Sequence, residues 1–352
     1  MIDKNKFPKF DDVGSFPLPE KITKEGFRKH YWLAYRSLVN EIDIFENRGI
    51  QTYLIVPIIE NFRTKLDAGV EVINYPQHID MYKQFLKPIE IYETEPDLIQ
   101  KDKAIIPEIH IIKSYAKEYY EKTGNRINLK VCVTGPIELY IKKHNFTIYY
   151  DLAMNLASSI NHFIKNSLID EKFLKTATIA IDEPSFGYTD LYNVGDEEIV
   201  QIFDKSLEDI DCDTQIHIHT LSRADIIYKT KNIDILTCEF ASDPSNKVPR
   251  EELVKHDKYI RVGITRTNID GIIGEKLDEG HKWEEYKSKK GIKTLIDSQD
   301  QIQGNLKTAL NHYKERLKYI GPDCGLASWK SPDVASELLR RTSKVINSIK
   351  RR

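Results

Sequence analysis

The chain has 352 residues, 40% hydrophobic and 30% charged, with a formal net charge of -2. That length can bury a sizeable core without disulfides or a structural metal, and the even mixture of charge signs excludes the basic stripe of a nucleic-acid binder. The four cysteines form no CxxC pair, which excludes a zinc ribbon and a disulfide scaffold.

No apolar run approaches the roughly 20 residues that a membrane span needs. The polar start MIDKNKFPKF lacks the apolar centre of a secretory signal. The expectation is a cytoplasmic protein with neither a nucleic-acid nor a membrane partner.

A first strand is expected to end at Ser15, inside VGSFPLP, a loop whose backbone N–H groups suit an anion. An amphipathic helical insertion over 31–45 follows, and a second strand ends at Gln77. Strands over 129–134 and 176–181 end before Gly135 and at Glu183. DEEIVQIFDKSLEDI then places Ile199, Phe203, Leu207 and Ile210 on one helical face, with Asp196 as its N-cap.

Strands over 214–219 and 233–239 flank a helical stretch at 222–231, and a further strand covers 259–265. The last strand ends at Cys324, and the basic tail 340–352 reads as a solvated final helix whose cations complement its C-terminal dipole. Repeated strand–helix–strand units imply an α/β fold. Small, polar or metal-binding residues close the strands at Ser15, Gln77, Gly135, Glu183, His219, Glu239, Thr265 and Cys324. Eight such endings match a (β/α)8 TIM barrel with extra N-terminal and inter-strand helical insertions, whose active site lies at that rim. No repeat or linker divides the chain, so one catalytic barrel domain over 1–352 is expected.

The chemistry concentrates at three strand ends. In QIHIHTL, His217 and His219 share a face because side chains alternate along a strand. His217, deeper in the barrel, reads as a hydrogen-bonded core residue, and His219, nearer the rim, as a candidate ligand. Glu239 closes the apolar ILTC run, and Cys324 sits in the turn IGPDCG. Together His219, Glu239 and Cys324 offer nitrogen, oxygen and sulfur donors, all of which zinc accepts. In AIDEPSFG, Asp182 and Glu183 suit binding of a substrate amine or general acid/base work. Dinucleotide, P-loop, HExxH and GxSxG motifs are absent.

In their order along the chain, VGSFPLP, YPQHIDMYKQF, VTGPIEL, AIDEPSFG, QIHIHT, CEFASDP and GPDCGLASW resemble the C-terminal catalytic barrel of cobalamin-independent methionine synthase. The resemblance runs from Val13 to about Ala335, and IDEP with PDCGL is its most specific part. Larger family members carry an additional N-terminal barrel without counterpart here, so the chain resembles the short form known from archaea. The resemblance implies transfer of a methyl group to the thiol of homocysteine, giving methionine, from a methyl-corrinoid or methyl-tetrahydropterin. A corrinoid protein or a companion barrel subunit is a further partner it allows.

It also implies a Zn2+ cofactor held by His219, Glu239 and Cys324. The family's fourth ligand, a cysteine, falls on Leu221, leaving three protein ligands. Gly14 and Ser15 match the loop that receives the substrate carboxylate, while Asp182 and Gln77 match the ammonium site. Gln77 stands where the long enzymes carry Glu, which removes one negative charge. Asp270 matches the position from which the long enzymes deliver a proton through His. Two alternatives stay open: a related barrel methyltransferase acting on another thiol, and a non-catalytic accessory paralogue with impaired zinc binding.

Overall fold

A computed structural model describes residues 7–351; the first residues of the polar N-terminus and the last arginine of the basic tail lie outside them. Eight parallel strands form one sheet. They are β1 (Lys9–Phe10), β2 (Ile73–Asn74), β3 (Ile127–Thr134) and β4 (Leu174–Asp182), then β5 (Asp213–His217), β6 (Ile235–Cys238), β7 (Tyr259–Thr265) and β8 (Leu317–Pro322).

Each strand pairs with its sequence neighbour from β2 to β8, and β8 pairs with β1. Parallel bridges Asp11↔Val72 and Ser15↔Gln77 join β1 to β2 and close the ring. The expected α/β barrel is therefore present, and its first two strands are the shortest. A small antiparallel pair, Glu93–Glu95 with Leu98–Ile99, lies between β2 and β3.

The insertions are helical. Helix Lys24–Val39, opened by Thr23 accepting from the Gly26 N–H, occupies the expected amphipathic region but starts and ends earlier. Helix Asp196–Ser206 buries Ile199 and Phe203, as their spacing requires. Its cap is Gly195 rather than Asp196: the Gly195 N–H donates to Glu198 Oε2 at 2.8 Å. This leaves Asp196 in the first turn, where a carboxylate favours the dipole. The stretch at 222–231 forms only the short helix Ala224–Ile227, and the chain ends in helix Pro332–Lys350. No described helix is long and apolar enough to cross a membrane.

The strands are apolar on their outer faces and carry charge inside. Asp11 is completely buried and accepts from Lys130 Nζ at 2.8 Å and Arg261 Nε at 2.6 Å. Gln215 links the group, accepting from Lys130 at 2.7 Å and donating to Asp11 at 3.3 Å. Charges this deep are tolerated only when paired and hydrogen-bonded. The cluster fixes β1, β3, β5 and β7 against one another beneath the C-terminal rim.

Candidate active site

Cys324 follows the end of β8, and its N–H donates to Thr267 Oγ1 at 3.1 Å. Its Sγ lies 3.5 Å from His217 Nε2 and 3.8 Å from His219 Nε2. His219 Nε2 in turn lies 3.5 Å from Glu239 Oε1. One donor atom from each of His217, His219, Glu239 and Cys324 falls within 4.8 Å of all the others. Nitrogen, carboxylate oxygen and thiol sulfur so close together suit a divalent cation that accepts all three.

Burial sets the protonation of these groups. It raises the Cys324 thiol, and the Glu239 and Asp182 carboxylates push it the same way. Glu239 is raised by burial and drawn back by His219. His217 is held well below the usual histidine range by burial and then by His219, so its imidazole is neutral. A neutral imidazole is the form that binds metal.

Asp182, at the end of β4, faces this group, with Oδ1 3.9 Å from His217 Nε2. That oxygen is buried and has no hydrogen-bond partner among the described residues. Burial, with Glu138 nearby, raises the carboxyl to about 7. A substrate cation would satisfy the oxygen and draw the carboxyl back towards its charged form. Asp182, His219 and Cys324 line a cavity of about 560 Å³ together with Ser15, Gln77 and His78.

The loop after β1 is held from below. Lys65 Nζ, fully buried, donates to Asp12 Oδ2 at 2.6 Å, to the Gly14 carbonyl at 2.7 Å and to the Asn74 carbonyl at 3.1 Å. A trans peptide points its C=O and N–H in opposite directions. Drawing the Gly14 oxygen to Lys65 therefore turns the Ser15 N–H the other way. Gly14 has φ +126°, and a Cβ there would meet Gln77 Oε1 at 2.4 Å, so only glycine fits. Gln77 itself donates to Tyr75 Oη at 3.2 Å and the Cys132 carbonyl at 3.1 Å.

Two residues from the sequence set are elsewhere. Both Glu183 oxygens accept backbone N–H groups, from Ile137 at 3.0 Å and Glu138 at 2.7 Å. Glu183 thus caps helix Pro136–His144 and does not line the cavity. It sits so near that a Cβ on Gly135 would lie 2.1 Å from Glu183 Oε1. Asp270 is exposed in the first turn of helix Ile269–Asp278 and does not line the cavity.

Sequence reasoning missed Asp323. Its carboxylate accepts from Ala241 N–H at 3.1 Å, Ser242 N–H at 2.7 Å and Ser242 Oγ at 2.7 Å. The loop after Glu239 is thereby tied to the residue before Cys324. Burial raises the Asp323 carboxyl to about 7. Its position in IGPDCG beside the candidate ligand was the available signal. Sequence reasoning also placed His217 in the core, although its alternation with His219 already put both on one face.

No family model matches the chain. Over 340 residues it is 23% identical to the methionine synthase of Sulfolobus acidocaldarius, covering 89% of this chain and 84% of that protein. In sequence the chain is similar to proteins named methionine synthase. It is also 23% identical over 345 residues to the 5-methyltetrahydropteroyltriglutamate--homocysteine methyltransferase of Blochmanniella pennsylvanica, covering 93% of this chain but 41% of that protein. The structure of a B12-independent methionine synthase from Shewanella sp. W3-18-1, in complex with selenomethionine, superposes with TM-score 0.60 at 15% identity, covering 98% of each chain. That likeness establishes the shared fold.

Proposed function

We propose that the protein is a homocysteine S-methyltransferase that makes methionine, with zinc held by His219, Glu239 and Cys324 and a methyl-tetrahydropterin as donor. One observation carries the reading: a mixed N, O and S donor set faces the unpartnered Asp182 Oδ1. A substrate with a thiol at one end and an ammonium at the other fits that pairing. The names of the relatives point the same way.

Only a thiolate attacks a methyl carbon well, and zinc held by these residues would supply one by lowering the thiol pKa so that its proton passes to solvent at neutral pH. The chain's own residues hold the rest of the substrate. Asp182 accepts the ammonium, and the Ser15 N–H, turned outward by Lys65, receives the carboxylate. Gln77 lines the same cavity without adding charge. His78 keeps a fixed neutral ring there: Nδ1 lies 2.9 Å from the Phe16 carbonyl and Nε2 3.1 Å from Asn61 Nδ2. Burial and the Lys65 charge hold His78 down to about 3. It therefore lines the wall without competing for Asp182 as a cation.

The test is methionine formation by purified, zinc-loaded protein from homocysteine and a methyl-tetrahydropteroylglutamate. Turnover that is lost in Cys324→Ser supports the reading. Failure to form methionine from either that donor or methylcobalamin overturns it.

A further inference from the structure

We infer that His217 supplies the fourth metal ligand, replacing the donor that Leu221 does not provide. This rests on the zinc reading above and changes the make-up of that site. Leu221 belongs to the apolar core and is 7% exposed, so its side chain offers neither a donor nor a polar wall. His217, buried in the barrel, brings its Nε2 up to the same donors. The pairing of β4 with β5 sets it beside Asp182, and alternation along the strand points its ring towards the set containing His219.

Three of the donor–donor distances are close to those of coordination, within a set whose members all lie within 4.8 Å of one another. Metal–nitrogen bonds of about 2.0 Å and metal–sulfur bonds of about 2.3 Å put donor atoms roughly 3.3–3.6 Å apart around a tetrahedral ion. His217 Nε2 to Cys324 Sγ is 3.5 Å, and His219 Nε2 to Glu239 Oε1 is 3.5 Å. His219 Nε2 to Cys324 Sγ is only slightly longer, at 3.8 Å.

The ring's other nitrogen has the support a ligating histidine needs. Nδ1 lies 3.3 Å from Thr237 Oγ1. The same hydroxyl accepts the Ile218 N–H at 3.1 Å. An oxygen with two lone pairs can accept both hydrogens, which leaves the Nε2 lone pair free to face the donor set. Thr237 is thus a positioning residue for His217.

The substitution changes charge as well as shape. Two neutral imidazoles, one carboxylate and one thiolate balance a divalent ion. The set with a second thiolate in place of an imidazole carries one net negative charge. With four donors from the chain, an incoming thiol would have to take the place of one of them instead of filling an open position.

X-ray absorption of the zinc-loaded wild type, without substrate, reads the number of imidazoles directly. Two imidazoles and one sulfur are expected. In His217→Ala one imidazole disappears, and zinc affinity, measured by chelator competition, falls by more than about tenfold. Adding Leu221→Cys to that variant restores affinity and brings a second sulfur. One imidazole in the wild type overturns the inference while leaving the zinc reading intact. Failure of the wild type to bind zinc overturns both. The wild-type spectrum decides the matter even if His217→Ala does not fold.

Discussion

Strand β5 carries two polar layers of opposite character. At its centre Gln215 joins Asp11, Lys130 and Arg261, where carboxylate meets cation at 2.6–2.8 Å. One turn of the alternation higher, His217 and His219 join Glu239, Cys324 and Asp182, and among the described residues no lysine or arginine bonds to any of these five. Both layers are enclosed by the same strands. The lower layer brings its own counter-ions, whereas the upper layer presents anions and neutral donors that call for an external cation at one end and a substrate ammonium at the other. On the proposed function, the difference separates a cluster that holds the barrel together from one that binds.

The largest expected effect breaks the upper layer alone. Cys324→Ser should lower zinc affinity by more than the roughly 10- to 100-fold cost of losing an outer-shell partner, abolish methyl transfer and leave the melting temperature of the metal-free protein nearly unchanged. Equal destabilisation of the metal-free protein would erase the contrast.

The converse variant is Asp11→Asn, which leaves Lys130 and Arg261 without their carboxylate. Breaking such a buried pair should cost about 3–5 kcal/mol in denaturant unfolding. At a temperature where the variant remains folded, its zinc stoichiometry should match the wild type.

Asp182→Asn should raise the KM for homocysteine roughly 10- to 100-fold, as loss of a charged hydrogen bond worth about 1.5–3 kcal/mol implies. Zinc content should stay the same. A variant that loses zinc instead would show that Asp182 belongs with the metal donors.

Glu108 is a buried carboxyl of a third kind, with no cation beside it among the described residues. Gln84 Nε2 lies 3.4–3.5 Å from its oxygens, and burial raises it to about 8. Between the ordinary carboxylate range and about 8, the folded state keeps a proton that the unfolded chain has released. Stability is therefore full at low pH and falls as pH rises through that window, by up to about 1.4 kcal/mol per pH unit. Glu108→Gln should flatten this slope in unfolding titrations between pH 6 and 8. A wild-type slope matching that of the variant would show that the carboxyl is ionised in both states.

The barrel was legible in the sequence because its longer strands read as short runs rich in Val, Ile and Thr. The β7 expectation over 259–265 matches Tyr259–Thr265, and β3 and β4 differ only at their ends. The first two strands are two residues each, too short for periodicity to register, and only their polar endings at Ser15 and Gln77 marked them. His219 and Glu239 were expected as strand ends but lie just past β5 and β6. Bonds made around them come from loops that local patterns do not encode.

The site was legible where chemistry follows residue type and opaque where it follows partners. His219, Glu239 and Cys324 stand out as donors in any strand-end context. Glu183 looked equally functional beside Asp182, and only the fold shows that helix Pro136–His144 takes both its oxygens. His217 was assigned to the core because deep histidines usually find hydrogen bonds. It does find one at Thr237, but on the nitrogen that leaves Nε2 facing Cys324. Asp270 rests on the family resemblance alone, and the helix start at Ile269 carries its side chain to the surface.

The most direct test of the central claim is the zinc content of the purified chain, and the sulfur count around that zinc, before and after homocysteine is added. The account predicts stoichiometric zinc with one sulfur from Cys324, gaining a second when the substrate binds. A chain that takes up no zinc, or a zinc shell unchanged by homocysteine, would contradict it.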